Sequence, residues 1–333
     1  MSAPENSSCK LASPRELIVA VVGPTASGKS DLALDLAQCL PTDVGANEGE
    51  LVSADALQLY RGMDIGTAKT PLPERRGVTH HQIDVLEISD EASVAAYQKY
   101  ARADIAQIHS RLNLAVVAGG SGLYQRALLD QMDFPGTDPQ LRSRLEAEAA
   151  LPGGVSKLHR RLEEVDPLSA QRIDPHNARR IIRALEVIEL TGSPYSSSMP
   201  QYTYAAPTVM LALRWHLEEL DERIGMRTKI MFENGLIEET RELDRRGLRD
   251  TKTAGKATGY AQALAVIDGE MNVDEAIDSV ALATRQLARR QVKWLRRDPR
   301  IVWIDRQADD DDYSAEAALV RAREVVVRVC DDY

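Results

Sequence analysis

One segment near the amino end has the residue types and spacing of a phosphate-binding loop. The sequence GPTASGKS at Gly23–Ser30 fits the pattern G-x-x-x-x-G-K-[ST]. Its glycines let backbone amides wrap around a phosphate, Lys29 adds a positive charge, and the Ser30 hydroxyl can hold Mg²⁺. The alternative is a glycine-rich turn without a ligand, but an apolar run precedes the motif and a helical pattern follows it. The motif therefore indicates a diphosphate or triphosphate ligand, without telling which.

Two more groups of polar residues follow short apolar runs. Asp55 comes after Glu50–Ala54, where a carboxylate can act as a general base or bind Mg²⁺. Helix N-capping explains Asp55 equally well. Gln58 carries an amide that can pair with the edge of an adenine. The segment Gly119–Ser121 follows Ala115–Ala118, and it either approaches a ligand closely or forms a tight turn.

These groups require a scaffold that brings strand ends together, and the hydrophobic periodicity predicts one. Strands are predicted at Glu16–Val22, Glu50–Ala54, Ala115–Ala118, Val209–Leu213 and Ile301–Ile304. Helices are predicted at Lys29–Leu40, Val94–Leu112, Leu220–Arg245, Val273–Arg296 and Ala315–Val329. The alternation indicates an α/β protein with a P-loop and a doubly wound parallel sheet, with an inserted helical domain. In such sheets, ligands bind beyond the carboxyl ends of the strands.

Changes in composition divide the chain into segments. Residues 1–14 are polar and predict a disordered leader. Residues 15–134 and 206–305 are predicted to form the catalytic α/β core. A charged helical insert is expected at 135–205, and 306–333 are left as a carboxyl-terminal tail.

The overall composition excludes several classes of protein. A net charge of −10 over 333 residues argues against a protein that coats nucleic acid, although a local basic groove stays compatible with it. The three cysteines, Cys9, Cys39 and Cys330, are far apart, which favours free thiols over a zinc site. The longest apolar run, Leu17–Val22, is too short to cross a membrane, and no signal peptide is visible. A cytoplasmic protein without membrane contact is expected.

Six motifs in order make the chain resemble the bacterial tRNA dimethylallyltransferase family. They are GPTASGKS at Gly23–Ser30, SADALQLYRGMDIGTAK at Ser53–Lys69, HHQID at His80–Asp84, GGSGLY at Gly119–Tyr124, RRIIRALEV at Arg179–Val187 and ATRQLARRQVKWLR at Ala283–Arg296. Their order and spacing cover the chain from about residue 16 to 305. Three positions depart from the family pattern: Ala56 stands for a serine, Gln82 for a leucine and Ser121 for a threonine.

The resemblance implies a defined reaction. The donor is dimethylallyl diphosphate, and the acceptor is the N6 amine of the adenine just 3′ of the tRNA anticodon. The products are N6-isopentenyladenosine and diphosphate. Mg²⁺ is the expected cofactor, with Ser30 as a ligand. The anticodon stem-loop of tRNA is the expected partner of a monomeric enzyme.

The resemblance also implies roles for individual residues. The catalytic residues are expected to be Asp55, Ser121 and Arg142. The diphosphate is expected on Gly23, Thr25, Ala26, Ser27, Gly28, Lys29 and Ser30, with Arg223 and Arg227 both candidates for an arginine contact. The residues expected to contact tRNA are Asp55, Ala56, Leu57, Gln58, Arg179, Arg180, Arg183, Lys256, Gly259 and Tyr260.

Three other functions fit parts of the sequence. A small-molecule kinase also uses a phosphate loop with an aspartate at the next strand end. Prenyl transfer to a free adenine nucleotide needs the same donor site, but it does not need the basic helical segments. A non-enzymatic RNA-binding P-loop protein is the third, and it gives no reason to keep Lys29, Ser30 and Asp55 together.

The predicted helix at Val273–Arg296 has one basic face. Arg285, Arg289, Lys293 and Arg296 share that face. A solvated surface is the simple interpretation. A surface that faces RNA phosphates is the alternative, and binding through it would weaken steeply with salt.

Overall fold

The computed structural model describes residues 16–198, 202–307 and 310–331, so the predicted leader at 1–14 lies outside the described residues. The chain divides into two compact units. The first, called the α/β unit here, combines Met1–Asp130 and Tyr204–Tyr333. The second, called the helical unit, is Gln131–Thr203.

A six-stranded parallel sheet with the order β3-β2-β4-β1-β5-β6 forms the centre of the α/β unit. The strands are β1 (Ile18–Val22), β2 (Gly49–Ser53), β3 (His80–His81), β4 (Leu114–Gly119), β5 (Thr208–Arg214) and β6 (Ile301–Asp305). The register pairs Val22 with Gly119 and Ser53 with Ala118. The loops after β1, β2 and β4 therefore leave the sheet at the same edge, where a doubly wound sheet binds its ligands. The predicted fold class is confirmed.

Helices cover the sheet, which explains why all five residues of β1 are buried and apolar. In the α/β unit they are α1 (Lys29–Val44), α2 (Val94–Ser110), α3 (Gly122–Leu129), α8 (Leu217–Glu233), α9 (Leu236–Arg245), α10 (Tyr260–Ile267), α11 (Val273–Leu295) and α12 (Ala315–Asp331). In the part of the chain that the structure describes, no helix combines the length and apolar character needed to cross a membrane.

The carboxyl-terminal residues 306–333, expected to be a tail, contain a helix that belongs to the core. Ala318, Ala322 and Val326 of α12 are fully or nearly fully buried in the cluster between the sheet and α1. Their spacing of four residues places them on one helix face. On the rim, the Arg323 guanidinium donates to both carboxylate oxygens of Asp43, at 2.6 and 2.7 Å.

The helix expected at Leu220–Arg245 is in fact two helices, α8 and α9. They are separated at Gly235, whose φ of +98° belongs to a region that residues with side chains rarely adopt. The apolar period continues through the break, so the pattern alone did not reveal it. The sequence also gave no sign of β3, because a strand of two residues carries no period.

The helical unit contains α4 (Pro139–Ala149), α5 (Gly154–Val165), α6 (Pro167–Arg172) and α7 (Ala178–Thr191). Its own apolar core includes Leu145, Leu158, Leu162, Ile181 and Leu185. The chain leaves the α/β unit after Asp130 and returns to it at Tyr204. The two ends of this segment are neighbours, because the Ala205 amide donates to the Leu129 carbonyl at 2.8 Å.

Candidate active site

The phosphate loop connects β1 to α1 at the carboxyl edge of the sheet. Gly28 is the N-cap of α1, and Ser27 is fully buried beneath the loop. Ala26 has a φ of +64°, which is uncommon for a residue with a side chain. Arg223, which is not part of the loop, stabilises this conformation, because its Nε atom donates to the Ala26 carbonyl at 2.9 Å.

Side chains from distant parts of the chain fix the loop in place. The Trp215 indole donates to the Ser27 carbonyl at 2.9 Å. Gln291 of α11 accepts from the Thr25 amide at 2.9 Å and donates to the Gly120 carbonyl at 2.8 Å. One amide side chain thus joins the loop after β1 to the loop after β4. Neither Trp215 nor Gln291 was predicted, because their partners are more than 150 residues away in sequence.

Three cations surround the phosphate loop. Burial, assisted by Arg227, lowers the pKa of Lys29 from its ordinary value to about 8. Burial also lowers the pKa values of Arg223 and Arg227. Arg227 donates to the Thr25 hydroxyl, and Arg223 stacks on the Trp215 ring at 4.4 Å. Both candidate arginines therefore lie at the loop, and the depressed pKa values indicate positive charge that the protein itself leaves poorly compensated.

A cleft of about 180 Å³ opens beside this cationic group, in the α/β unit. Polar residues on its wall include Thr25, Lys29, Ser30, Asp55, Gln58, Arg227 and Gln291. Apolar residues on its wall include Leu57, Ile83, Met231, Val280 and Leu287. The cleft thus combines a cationic end with an apolar wall, which suits a ligand that carries both a phosphate and a hydrocarbon group.

The structure removes one of the two interpretations of Asp55, that of a helix N-cap, and leaves its catalytic role a prediction. Its Oδ1 atom accepts from the Leu57 amide at 2.9 Å, which forms a local turn and not the N-cap of a helix. The carboxylate lies on the cleft wall and is electrostatically coupled to Lys29 and Arg227, whose pKa values it raises against the effect of burial. Asp55 is therefore placed to act on a ligand that the cations hold.

Gln58 also lies on the cleft wall, and protein contacts fix its amide. Its Oε1 atom accepts from the Ser53 hydroxyl at 2.9 Å, and its Nε2 atom donates to the Thr67 carbonyl at 3.3 Å. The Tyr97 hydroxyl donates to the Ser53 carbonyl at 2.9 Å and supports the end of β2. Ala56 follows Asp55 directly.

The loop after Tyr60 forms another part of the wall, and Glu239 of α9 holds it. The Glu239 carboxylate accepts from the amides of Asp64, Ile65 and Gly66 at 3.2, 2.8 and 3.3 Å. The Tyr260 hydroxyl donates to the same carboxylate at 2.6 Å. A Cβ atom on Gly66 would lie 2.5 Å from the Tyr260 ring, so only glycine allows this approach.

These contacts correct one expectation about tRNA. The Tyr260 side chain is fully buried, because it packs under Gly66, so it holds the loop and presents no surface to RNA. Gly259 lies on the cleft wall, and Lys256 is exposed. Glu239, which sequence reasoning missed, has no local motif around it.

Other predicted site residues lie outside the cleft. Ser121 is the N-cap of α3 and makes no capping hydrogen bond with its side chain. In the helical unit, Arg142 donates to the buried Glu186 at 2.5 Å. Arg183 donates to Glu186 and to the Pro135 carbonyl, each at 2.7 Å, so most of its guanidinium is engaged within the unit. The catalytic role expected for Arg142 and the tRNA contact expected for Arg183 stay predictions.

Two arginines of the helical unit have side chains exposed to solvent. Arg179 and Arg180 are exposed at the start of α7.

The basic face of α11, in the α/β unit, is partly used within the protein. Arg289 is exposed but pairs with Asp221, at 3.0 and 2.7 Å, while Ala288 is buried. Part of the basic face on α11 therefore serves an ion pair within the protein.

The fold and cleft define a class: an α/β P-loop enzyme with a cleft for a ligand that combines phosphate and hydrocarbon. A family model described as IPP transferase matches residues 58–298. The chain belongs to the IPP transferase family.

Similar proteins carry more specific names. A protein from Paenarthrobacter aurescens (strain TC1), named tRNA dimethylallyltransferase, is 53% identical over 291 residues, which cover 87% of this chain and 91% of the relative. A protein of the same name from Thermobifida fusca (strain YX) is 51% identical over 293 residues, covering 88% and 91%.

Solved structures agree with these relatives. The full-length tRNA isopentenylpyrophosphate transferase from Bacillus halodurans has a TM-score of 0.67 and 36% identity, covering 95% of this chain and 97% of that one. A eukaryotic dimethylallyltransferase acting on tRNA has a TM-score of 0.79 and 25% identity, covering 94% and 80%.

Proposed function

We propose that this chain transfers a dimethylallyl group from dimethylallyl diphosphate to the N6 amine of the adenine just 3′ of a tRNA anticodon. The observation that carries the proposal is the cleft itself, where Asp55 lies between a cationic phosphate loop and an apolar wall. The apolar wall suits the dimethylallyl group of the donor. The names of the relatives support tRNA as acceptor.

The phosphate end of the cleft stabilises the leaving group. As the bond between the allylic carbon and oxygen breaks, its electron pair leaves with the diphosphate. Lys29, Arg227 and the loop amides meet the negative charge that develops there. Fixed charges that face a developing charge in a site that excludes water supply a large part of catalysis.

The Asp55 carboxylate acts on the acceptor. The N6 amine of adenine is a weak nucleophile, because its lone pair is delocalised into the ring. Asp55 accepts the amine proton as the bond from nitrogen to the allylic carbon forms. The hydrogen bond from the Leu57 amide to one carboxylate oxygen fixes the orientation of the carboxylate.

The adenine reaches the cleft by leaving its stack in the anticodon loop. The fixed amide of Gln58 lies on the cleft wall and is suited to the edge of the extruded base. Arg179, Arg180 and Lys256 are exposed, and they are the proposed contacts to the RNA backbone.

Mg²⁺ is the proposed cofactor, and the residues present fit a weakly held ion. The described residues contain no group of three or more histidines, cysteines or acidic side chains that could hold a metal. Ser30 lies on the cleft wall, so its hydroxyl would hold Mg²⁺ together with phosphate oxygens of the donor. The bound ion would neutralise charge on the diphosphate. A monomer is the proposed oligomeric state.

The decisive experiment replaces Asp55 by asparagine. Transfer from labelled dimethylallyl diphosphate to tRNA is expected to fall by about 10²- to 10⁴-fold in kcat, because the proton acceptor is lost. The Kd for tRNA, measured by filter binding, should change little. The matched control is Asp250→Asn, which changes an exposed aspartate outside the cleft. Unchanged turnover in Asp55→Asn, or γ-phosphate transfer from ATP without prenyl transfer, would contradict the proposal.

A further inference from the structure

An apolar groove of about 520 Å³ lies beside the catalytic cleft in the α/β unit. Ile65, Pro71, Leu72 and Ile230 belong to its apolar part, and several charged side chains complete the lining. Leu72 is 76% exposed and Ile230 is 50% exposed. Large apolar side chains exposed together in a concave surface are characteristic of a binding surface, and the proposed reaction gives this groove no task.

The groove and the cleft share a wall. Among the described residues, four line both spaces: Ala68, Thr70, Arg227 and Met231. Arg227 is engaged at the phosphate loop through Thr25, and Ala68 and Thr70 have short side chains. Met231 is therefore the one long apolar side chain in the shared wall, and only 8% of it is exposed.

The geometry of α8 relates the cationic end of the cleft to Met231. Arg227 and Met231 are four residues apart on this helix, so their side chains lie on the same face about one turn apart. A hydrocarbon chain that runs along the helix from a diphosphate at Arg227 reaches Met231, which also lines the groove.

We propose that Met231 limits the prenyl donor to a single isoprene unit. This inference rests on the proposed function. The Met231 side chain closes the apolar end of the cleft, and without it the groove would receive the second isoprene unit of a longer allylic diphosphate. The chemistry stays the same, because only the length of the transferred group changes. A methionine forms a closely fitting but adaptable wall, since its side chain has no branch.

The test compares dimethylallyl diphosphate with geranyl diphosphate as donors to one tRNA. The quantity measured is the ratio of the two kcat/KM values. The ratio of geranyl to dimethylallyl transfer should rise by about tenfold or more in Met231→Ala, because the lost wall is larger than a methylene group. Met231→Val should give a smaller rise. Met231→Leu, which keeps the wall, and Ile230→Ala, which changes only the groove, should leave the ratio near that of the wild type.

The outcomes separate this inference from the function on which it rests. A wild-type protein that transfers no dimethylallyl group would refute the proposed function. A wild-type protein that transfers dimethylallyl and geranyl groups equally well would refute the role of Met231 alone. An unchanged ratio in Met231→Ala would also overturn that role. If Met231→Ala does not fold, Met231→Val decides, with thermal melting as the check on folding.

Discussion

Two lysines, Lys29 on the cleft wall and Lys69 on the wall of the adjoining groove, differ in whether the protein pairs their charges. Lys69 donates to the Asp64 and Asp84 carboxylates at 2.8 and 2.5 Å and to the Tyr60 carbonyl at 2.5 Å. Lys29 donates to the Pro24 carbonyl at 3.3 Å, and its pKa is lowered to about 8. The first ammonium group is neutralised by the protein, whereas no carboxylate among the described residues is in contact with the second.

The difference shows where the protein compensates its own charges and where that compensation depends on a ligand. The loop from Tyr60 to Lys69 is held by ion pairs and by the Glu239 carboxylate, so its shape is set before any substrate arrives. The phosphate loop instead collects cations whose pKa values are depressed by burial. Charge that a protein buries without a partner lowers its stability, and a bound diphosphate would supply the missing partner.

Among changes to these two lysines, the largest expected effect is on catalysis in Lys29→Met. We expect kcat/KM for dimethylallyl transfer to fall by about 10²- to 10³-fold, since a cation that faces the leaving diphosphate is lost. Stability at pH 7 should be equal to or above that of the wild type, because a poorly compensated charge is removed. Steady-state kinetics and urea unfolding measure the two effects. Lys99→Met, at an exposed lysine on α2, is the control. A clear loss of stability in Lys29→Met would contradict the proposed difference between the two lysines.

Lys69→Met should show the opposite pattern, with its main effect on stability and not on catalysis. Its side chain is 3% exposed, whereas the side chains of Asp64 and Asp84 are 57% and 39% exposed, so their carboxylates can be rehydrated. We therefore expect a loss of about 1–3 kcal/mol in the free energy of unfolding, below the range for a fully buried pair. Urea unfolding at pH 7 measures it. Stability equal to that of the wild type would show that this lysine is not a structural cation.

The smallest expected effect is the pH dependence caused by Lys29. Its pKa in the folded protein, about 8, is below the ordinary 10.5, so above pH 8 the unfolded chain binds more protons than the folded one. Stability therefore gains a contribution from this group as pH rises from about 8 to 10. Donor binding should change in the opposite direction, with affinity falling by about tenfold between pH 7 and pH 9 as Lys29 becomes neutral.

Calorimetry in buffers of different ionisation enthalpy checks this prediction. Near pH 8, proton uptake should accompany donor binding to the wild type and should disappear in Lys29→Met. Equal uptake in both proteins would assign the proton to another group.

Local motifs explain how much of the site could be predicted. The phosphate loop and Asp55 each lie directly after an apolar strand, so a few adjacent residues carry the whole signal. Gln291 and Glu239 contact their loops from elements 266 and at least 173 residues away in sequence. No adjacent pattern records such contacts.

Burial explains the expectations that the structure corrected. Tyr260 lies in a segment predicted to touch RNA, but packing against Gly66 determines its position. The helix break at Gly235 and the docking of α12 are likewise decided by backbone conformation and tertiary contacts. The order of strands and helices, in contrast, follows from the hydrophobic period and was predicted at most positions.

The hydrogen bond between Leu129 and Ala205 has a consequence for the modularity of the chain. Because both ends of the inserted segment meet there, the α/β unit needs only a connection between two adjacent chain ends, as in a hairpin. The entropy of closing a loop grows slowly with its length, so a brief turn could replace the inserted segment at little thermodynamic penalty. The same junction is a natural attachment point for grafting a foreign recognition module onto an unchanged catalytic body.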